Sequence, residues 1–93
     1  MKIIYPAVFH TEDDGTYWVE FPDLVGCNTC GDTIEDAIEA SKEALTGYCL
    51  SVMERGIRLN APTEITQINA DGGIVKIIET DLRLQPVLNV RTA

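Results

Sequence analysis

Between Ile34 and Val52, apolar and small residues recur every three or four positions: Ile34, Ala37, Ile38, Ser41, Leu45, Tyr48 and Val52. That spacing follows the 3.6-residue period of an α-helix and gives the helix one apolar stripe. A lone stripe must be buried against another layer. The other segments read as strands, turns and a connector, so the layer is a β-sheet. Asp32 and Thr33 both suit an N-cap, and Glu35 follows Asp32 at the capping-box spacing. Glu35 and Asp36 favour the positive end of the helix dipole. The helix is expected to run to about Glu54, with Gly56 as its C′ residue. Gly47 costs about 1 kcal/mol relative to Ala in mid-helix, which suggests a close approach there.

Ahead of the helix lie three strand signals. Lys2 to Thr11 is rich in β-branched and aromatic residues, with Ile3, Tyr5, Ala7 and Phe9 on one face. Pro6 has no N–H and must point to a flank without a ladder, or sit at a bulge. Asp14-Gly15 marks a hairpin turn. Thr16 to Phe21 returns, with Tyr17, Val19 and Phe21 alternating against Trp18 and Glu20. Pro22 to Gly26 breaks the chain, and Cys27 to Cys30 is a short third strand. After the helix, Ile57 to Asp71 is a connector and Ile74 to Thr80 a fourth strand.

The expected fold is α+β with order β-β-β-α-β. A three-stranded antiparallel meander is joined by a fourth strand beside the first and parallel to it, in sheet order 3-2-1-4. The parallel direction follows from reading the helix as a right-handed crossover. One helix covers one face, and the other face is open or covered by a second subunit. Residues 1–81 form the domain. Residues 82–93 form a tail, or a short extra strand at Val87-Leu88-Asn89-Val90.

The chain has 93 residues, 45% of them apolar, which suits one folded domain with one modest core. Its net charge is −8, with seven scattered Lys and Arg. Nucleic-acid binders normally present a basic face, so direct RNA or DNA binding is disfavoured. No signal peptide or membrane span is visible, and three Cys are an odd number for a disulfide scaffold. A cytoplasmic location is expected.

The residues Tyr5-Pro6-Ala7-Val8-Phe9, Trp18-Val19-Glu20-Phe21-Pro22-Asp23-Leu24 and Gly26-Cys27-Asn28-Thr29-Cys30-Gly31-Asp32-Thr33 together resemble the HicB family of bacterial antitoxins. The likeness continues through Glu35-Asp36-Ala37 and Gly47-Tyr48 to Ile74-Val75-Lys76-Ile77-Ile78-Glu79-Thr80-Asp81. It implies a partial ribonuclease H-like fold and a binding rather than catalytic role. The implied partner is a basic HicA-like ribonuclease toxin that cleaves messenger RNA. Many members add a C-terminal operator-binding domain. The twelve residues from Leu82 to Ala93 leave no room for one, so no operator binding by this chain alone is expected.

No catalytic residue, cofactor or metal is expected. Cys27-Asn28-Thr29-Cys30 has the C-x-x-C spacing, but residues three apart in a strand face opposite ways. Three Cys and the lone His10 offer no zinc-ligand pattern. Glu12, Asp13 and Asp14 sit in a turn, and nothing places Glu20 beside Asp81. The candidate toxin-binding residues are Glu35, Glu39, Glu43 and Leu50, which share a stripe with Thr46 and Glu54 opposite the core face. Leu50 stands out as an apolar member of that acidic stripe. Tyr17 and Trp18 face opposite ways, which makes Trp18 the candidate contact for a homodimer or higher homo-oligomer. The alternative is a solitary module that binds RNA or another protein without a cognate toxin.

Overall fold

The hairpin forms where its turn chemistry directs. In the computed structural model, which describes residues 1–82, β1 (Lys2–Thr11) turns through Glu12–Gly15 into β2 (Tyr17–Glu20). Gly15 has φ 88°, and the Glu12 N–H donates to the Thr16 carbonyl at 2.8 Å. The two strands pair antiparallel from Val8↔Glu20 to Thr11↔Tyr17. The segment Phe21–Cys27 is a tight loop closed on itself, with Leu24 N–H donating to the Phe21 carbonyl and Cys27 N–H to the Leu24 carbonyl, each at 3.0 Å. It delivers the chain to β3 (Asn28–Gly31), antiparallel to β2.

Helix α1 (Ile34–Glu54) starts three residues later. Its N-cap is Thr33, whose hydroxyl accepts from the Asp36 N–H at 3.0 Å. The pair expected from Asp32 and Glu35 is thus shifted by one residue. Gly56 (φ 73°) ends the helix as expected. Ala37, Ser41, Leu45 and Val52 of the stripe are buried, and Ile34, Ile38 and Tyr48 pack partly against the core. The Ser41 hydroxyl is satisfied by the Ala37 carbonyl at 2.6 Å. The close approach is at Gly31 and not at Gly47. A Cβ on Gly31 would stand 2.4 Å from the Ala37 nitrogen, whereas one on Gly47 would meet nothing within 4 Å.

The sheet order is β3-β2-β1-β4, as expected from the sequence. The direction of β4 (Ile74–Asp81) is not: it runs antiparallel to β1, from Phe9↔Ile74 to Lys2↔Asp81. The helix alone does not make the crossover. Residues 55–73, nineteen in all, follow it and carry the chain back to the end of the sheet where the helix began. Nineteen residues can reach roughly 60 Å, ample for that return. The connector contains a short 3₁₀ turn (Ile65–Gln67) and is fastened at its start by the Asp23 loop. The expected strand near Val87 lies outside the described residues.

The core lies between the helix and one sheet face. Ile3, Tyr5, Ala7 and Phe9 of β1, Val19, Ile78, and the loop residues Phe21, Leu24 and Cys27 meet Ala37, Leu45 and Cys49 there. Pro6 and Val8, on the opposite face, are buried too. The β2 ladder stops at Val8, so Pro6 has a ladder neighbour on one flank alone, Ile77 of β4.

Candidate functional site

The helix presents its acids outward. Glu35, Asp36, Glu39, Glu43 and Glu54 are exposed. Glu39 pairs with Lys42 at 3.3 Å, while the other four make no ion pair among the described residues. The sequence-predicted stripe is only partly an outer face. Thr46 is buried, and its hydroxyl meets that of Thr80 on β4 at 2.7 Å. Leu50 is half-buried and packs against the core cluster, so it is not an unexplained apolar residue standing in solvent. The flank of the helix that faces β4 is covered, which the helical period alone does not reveal.

Topology adds acids that the helix stripe did not contain. The hairpin turn (Glu12, Asp13, Asp14), the helix start (Asp32, Glu35, Asp36) and Asp71, just before β4, all lie at one end of the sheet. Asp14 is fixed there by the Thr16 hydroxyl at 2.6 Å and N–H at 3.0 Å, and these bonds hold its carboxyl below the usual range. Lys2, Arg55 and Arg58 lie at the other end, together with Glu54, Glu79 and Asp81. Arg55 and Arg58 line a cleft of about 210 Å³ with Leu24, Tyr48, Val52, Ile57, Leu59 and Asn60. The chain is therefore electrically polarised along its strands.

Trp18 lies on the sheet face away from the helix, and Tyr17 on the helix side, packed against the core. Trp18 is 37% exposed and stacks on His10, with ring centroids 4.2 Å apart. His10 Nε2 lies 2.8 Å from a Glu20 carboxylate oxygen. Cys27 is buried on the helix side, its thiol directed at the Ala44 carbonyl at 3.6 Å, whereas Cys30 is exposed. All three cysteines are free. Glu20 pairs with Val8 and Asp81 with Lys2, on opposite sides of β1, so these carboxylates do not converge. Among the described residues, no three His, Cys, Asp or Glu side chains are placed to hold a metal ion, and no helix is long and apolar enough to cross a membrane.

The role of Asp23 was not legible in the sequence. Its carboxylate accepts from the Thr63 N–H at 2.8 Å and from the Thr63 hydroxyl, and its carbonyl accepts from Asn60 Nδ2 at 2.8 Å. The Tyr5 hydroxyl donates to the Asn60 carbonyl. Burial, above all, raises the Tyr5 pKa. Asp23 is thus a latch that sets the connector against the loop.

Known proteins resemble this chain in sequence and in fold. An uncharacterized 14.9 kDa protein of Haemophilus phage HP1 is 32% identical over 84 residues, and the match spans 86% of this chain and 62% of that protein's length. The crystal structure of the N-terminal domain of the Burkholderia pseudomallei antitoxin HicB superposes with a TM-score of 0.74 at 26% identity, covering 86% of this chain and 100% of that one. A chain of the HicA3 and HicB3 toxin-antitoxin complex gives 0.67 at 27% identity, covering 85% and 99%. The family of HicB-like antitoxins of bacterial toxin-antitoxin systems matches residues 5–90, and the chain belongs to that family.

Proposed function

We propose that this chain is the antitoxin of a type II toxin-antitoxin pair, and that it neutralises a small, basic, messenger-RNA-cleaving toxin of the HicA type by binding it. The observation that carries this reading is the likeness over nearly a whole chain of a solved toxin-antitoxin complex. The electrostatics support it. Unpaired carboxylates on the outer helix face run into the acidic end of the sheet, and such a field steers a basic partner. The chain acts as a stoichiometric inhibitor and not as an enzyme. Its free thiols suit a reducing compartment, the cytoplasm, where messenger RNA is cleaved.

Glu35, Glu39 and Glu43 are assigned to the toxin contact. Leu50 contributes its exposed edge. The test is co-purification with a small basic HicA-type protein encoded in the adjoining reading frame, followed by an RNA-cleavage assay. The wild type should bind and suppress cleavage. Glu35→Lys and Glu43→Lys should slow association and flatten its salt dependence. If the wild type neither binds nor protects RNA, the chain is a solitary module of this fold and the antitoxin reading is overturned.

A further inference from the structure

We infer that the cleft at the end of α1 is a binding site for a small apolar monocarboxylate, with Arg55 and Arg58 holding the carboxylate. The cleft, about 210 Å³, is bounded by the last turns of the helix, the start of the connector and the Phe21–Cys27 loop. Its wall is largely apolar. Leu24 is 2% exposed and Val52 8%, and Tyr48 and Leu59 are half-buried.

The donors on this cleft are unspent. Acids outnumber bases in the chain by 15 to 7, so a cation here has carboxylates to choose from. Lys2 and Lys42 take them, whereas Arg55, Arg58 and Lys76 make no ion pair among the described residues. Two of those three line the cleft. The Tyr48 hydroxyl there also makes no hydrogen bond among the described residues. A cation near a helix C-terminus complements the helix dipole, but that field fades within the last turn, and Arg58 lies beyond the C-cap Arg55. The nearby carbonyls are taken by the backbone. Gly56 N–H donates to the Met53 carbonyl at 3.0 Å, and Ile57 N–H to the Val52 carbonyl at 3.1 Å.

The rim is also set before any ligand arrives. Asn60 Nδ2 donates to the Asp23 carbonyl at 2.8 Å, and the Tyr5 hydroxyl donates to the Asn60 carbonyl. Asp23 spends both carboxylate oxygens on Thr63, so it does not occupy the guanidinium groups. A planar guanidinium matches a carboxylate with two parallel hydrogen bonds. The apolar wall calls for a hydrocarbon group on the same ligand. The volume is below that of usual drug-sized sites, about 300–1,000 Å³, and suits an acid about as large as one side chain. A phosphate would satisfy the arginines and leave Leu24 and Val52 uncovered. A basic toxin does not match this end of the chain, so the site stands apart from the antitoxin reading.

The test uses the whole chain without any toxin, with phenylacetate as the probe and amide resonances in a nitrogen-15 spectrum as the readout. Phenylacetate should shift the amides of Leu24, Val52 and residues 55–60 saturably, with a Kd on the order of 1 mM. Arg55→Gln and Arg58→Gln should each weaken binding by about tenfold, and the double variant should abolish the shifts. Both side chains are exposed, so the rest of the spectrum should stay in place and report that each variant folds. Phenylacetamide has the shape without the charge, and inorganic phosphate has charge without the apolar group. Each should bind at least about tenfold more weakly than phenylacetate. The absence of a saturable shift at the cleft overturns the inference. So do shifts that survive in the double variant, or phosphate or phenylacetamide binding as tightly as phenylacetate.

Discussion

The two faces of the sheet are built from the same strands and meet different fates. On the helix side, alternate residues of β1 (Ile3, Tyr5, Ala7, Phe9) are sealed against α1 and the Phe21–Cys27 loop. On the other side only the centre is shut, and Ile4, Trp18 and Ile77 stay half in water. The difference shows that apolar alternation along a strand does not say which face holds the protein together. That depends on what the rest of the chain can lay over each face. Here there is one helix, so one face gains the stabilisation of a core and the other stays half open.

The sharpest way to break this comparison is a pair of truncations. Phe9→Ala, at a residue 1% exposed, should cost about 3–5 kcal/mol. Ile77→Ala, at a residue 46% exposed, should cost roughly 0.5 kcal/mol. Urea unfolding followed by circular dichroism reads both. Equal costs would mean that the two faces are energetically alike and that the open face is core.

Next in size is the seam between sheet and helix. Gly31→Ala forces a Cβ to within 2.4 Å of the Ala37 nitrogen, so the helix start must move, at about 1–3 kcal/mol. Gly47→Ala meets nothing and should stabilise by up to about 1 kcal/mol. Opposite signs in a thermal melt would sharpen the contrast between a covered and an uncovered backbone. Like signs would place the seam elsewhere.

The smallest effect is chemical. Cys30, exposed on the open face, should react with a maleimide at pH 8 well before Cys27 and Cys49. Burial, and then the neighbouring Cys49, push the Cys27 thiol from 9.0 up to about 11, and burial raises Cys49 as well. Because the folded state keeps these protons where the unfolded chain loses them, the stability they confer is present below pH 9. It declines as pH rises towards 11. A mass spectrum showing two or three adducts at early times would contradict the burial of the helix-side thiols.

What could be read from the sequence was what local period and turn chemistry determine. The helix stripe from Ile34 to Val52, the Asp14-Gly15 hairpin, and the opposed faces of Tyr17 and Trp18 and of Cys27 and Cys30 follow from spacing, and the strand order from a meander whose last strand returns beside the first. The direction of β4 did not, because it depends on the path of the connector. That path is set by Asp23 gripping Thr63, forty residues away. Leu50 and Thr46 were misplaced for a related reason. Helical angle puts them on the outer arc, but packing alongside β4 covers that flank. The gathering of Glu12, Asp13, Asp14, Asp32, Asp36 and Asp71 at one end is likewise invisible until the strands are threaded.

The pairing of β1 with β4 has a consequence in time. β1 leaves the ribosome early, and its longest ladder is made with a strand that ends at Asp81. At about 5–20 residues per second, the roughly 70 residues between the end of β1 and the end of β4 take some 4–14 s to appear. During that interval the hairpin and helix can form, but Tyr5, Ala7 and Val8 have no neighbour on one side. The longest ladder of the sheet therefore closes only after the hairpin and the helix have been made.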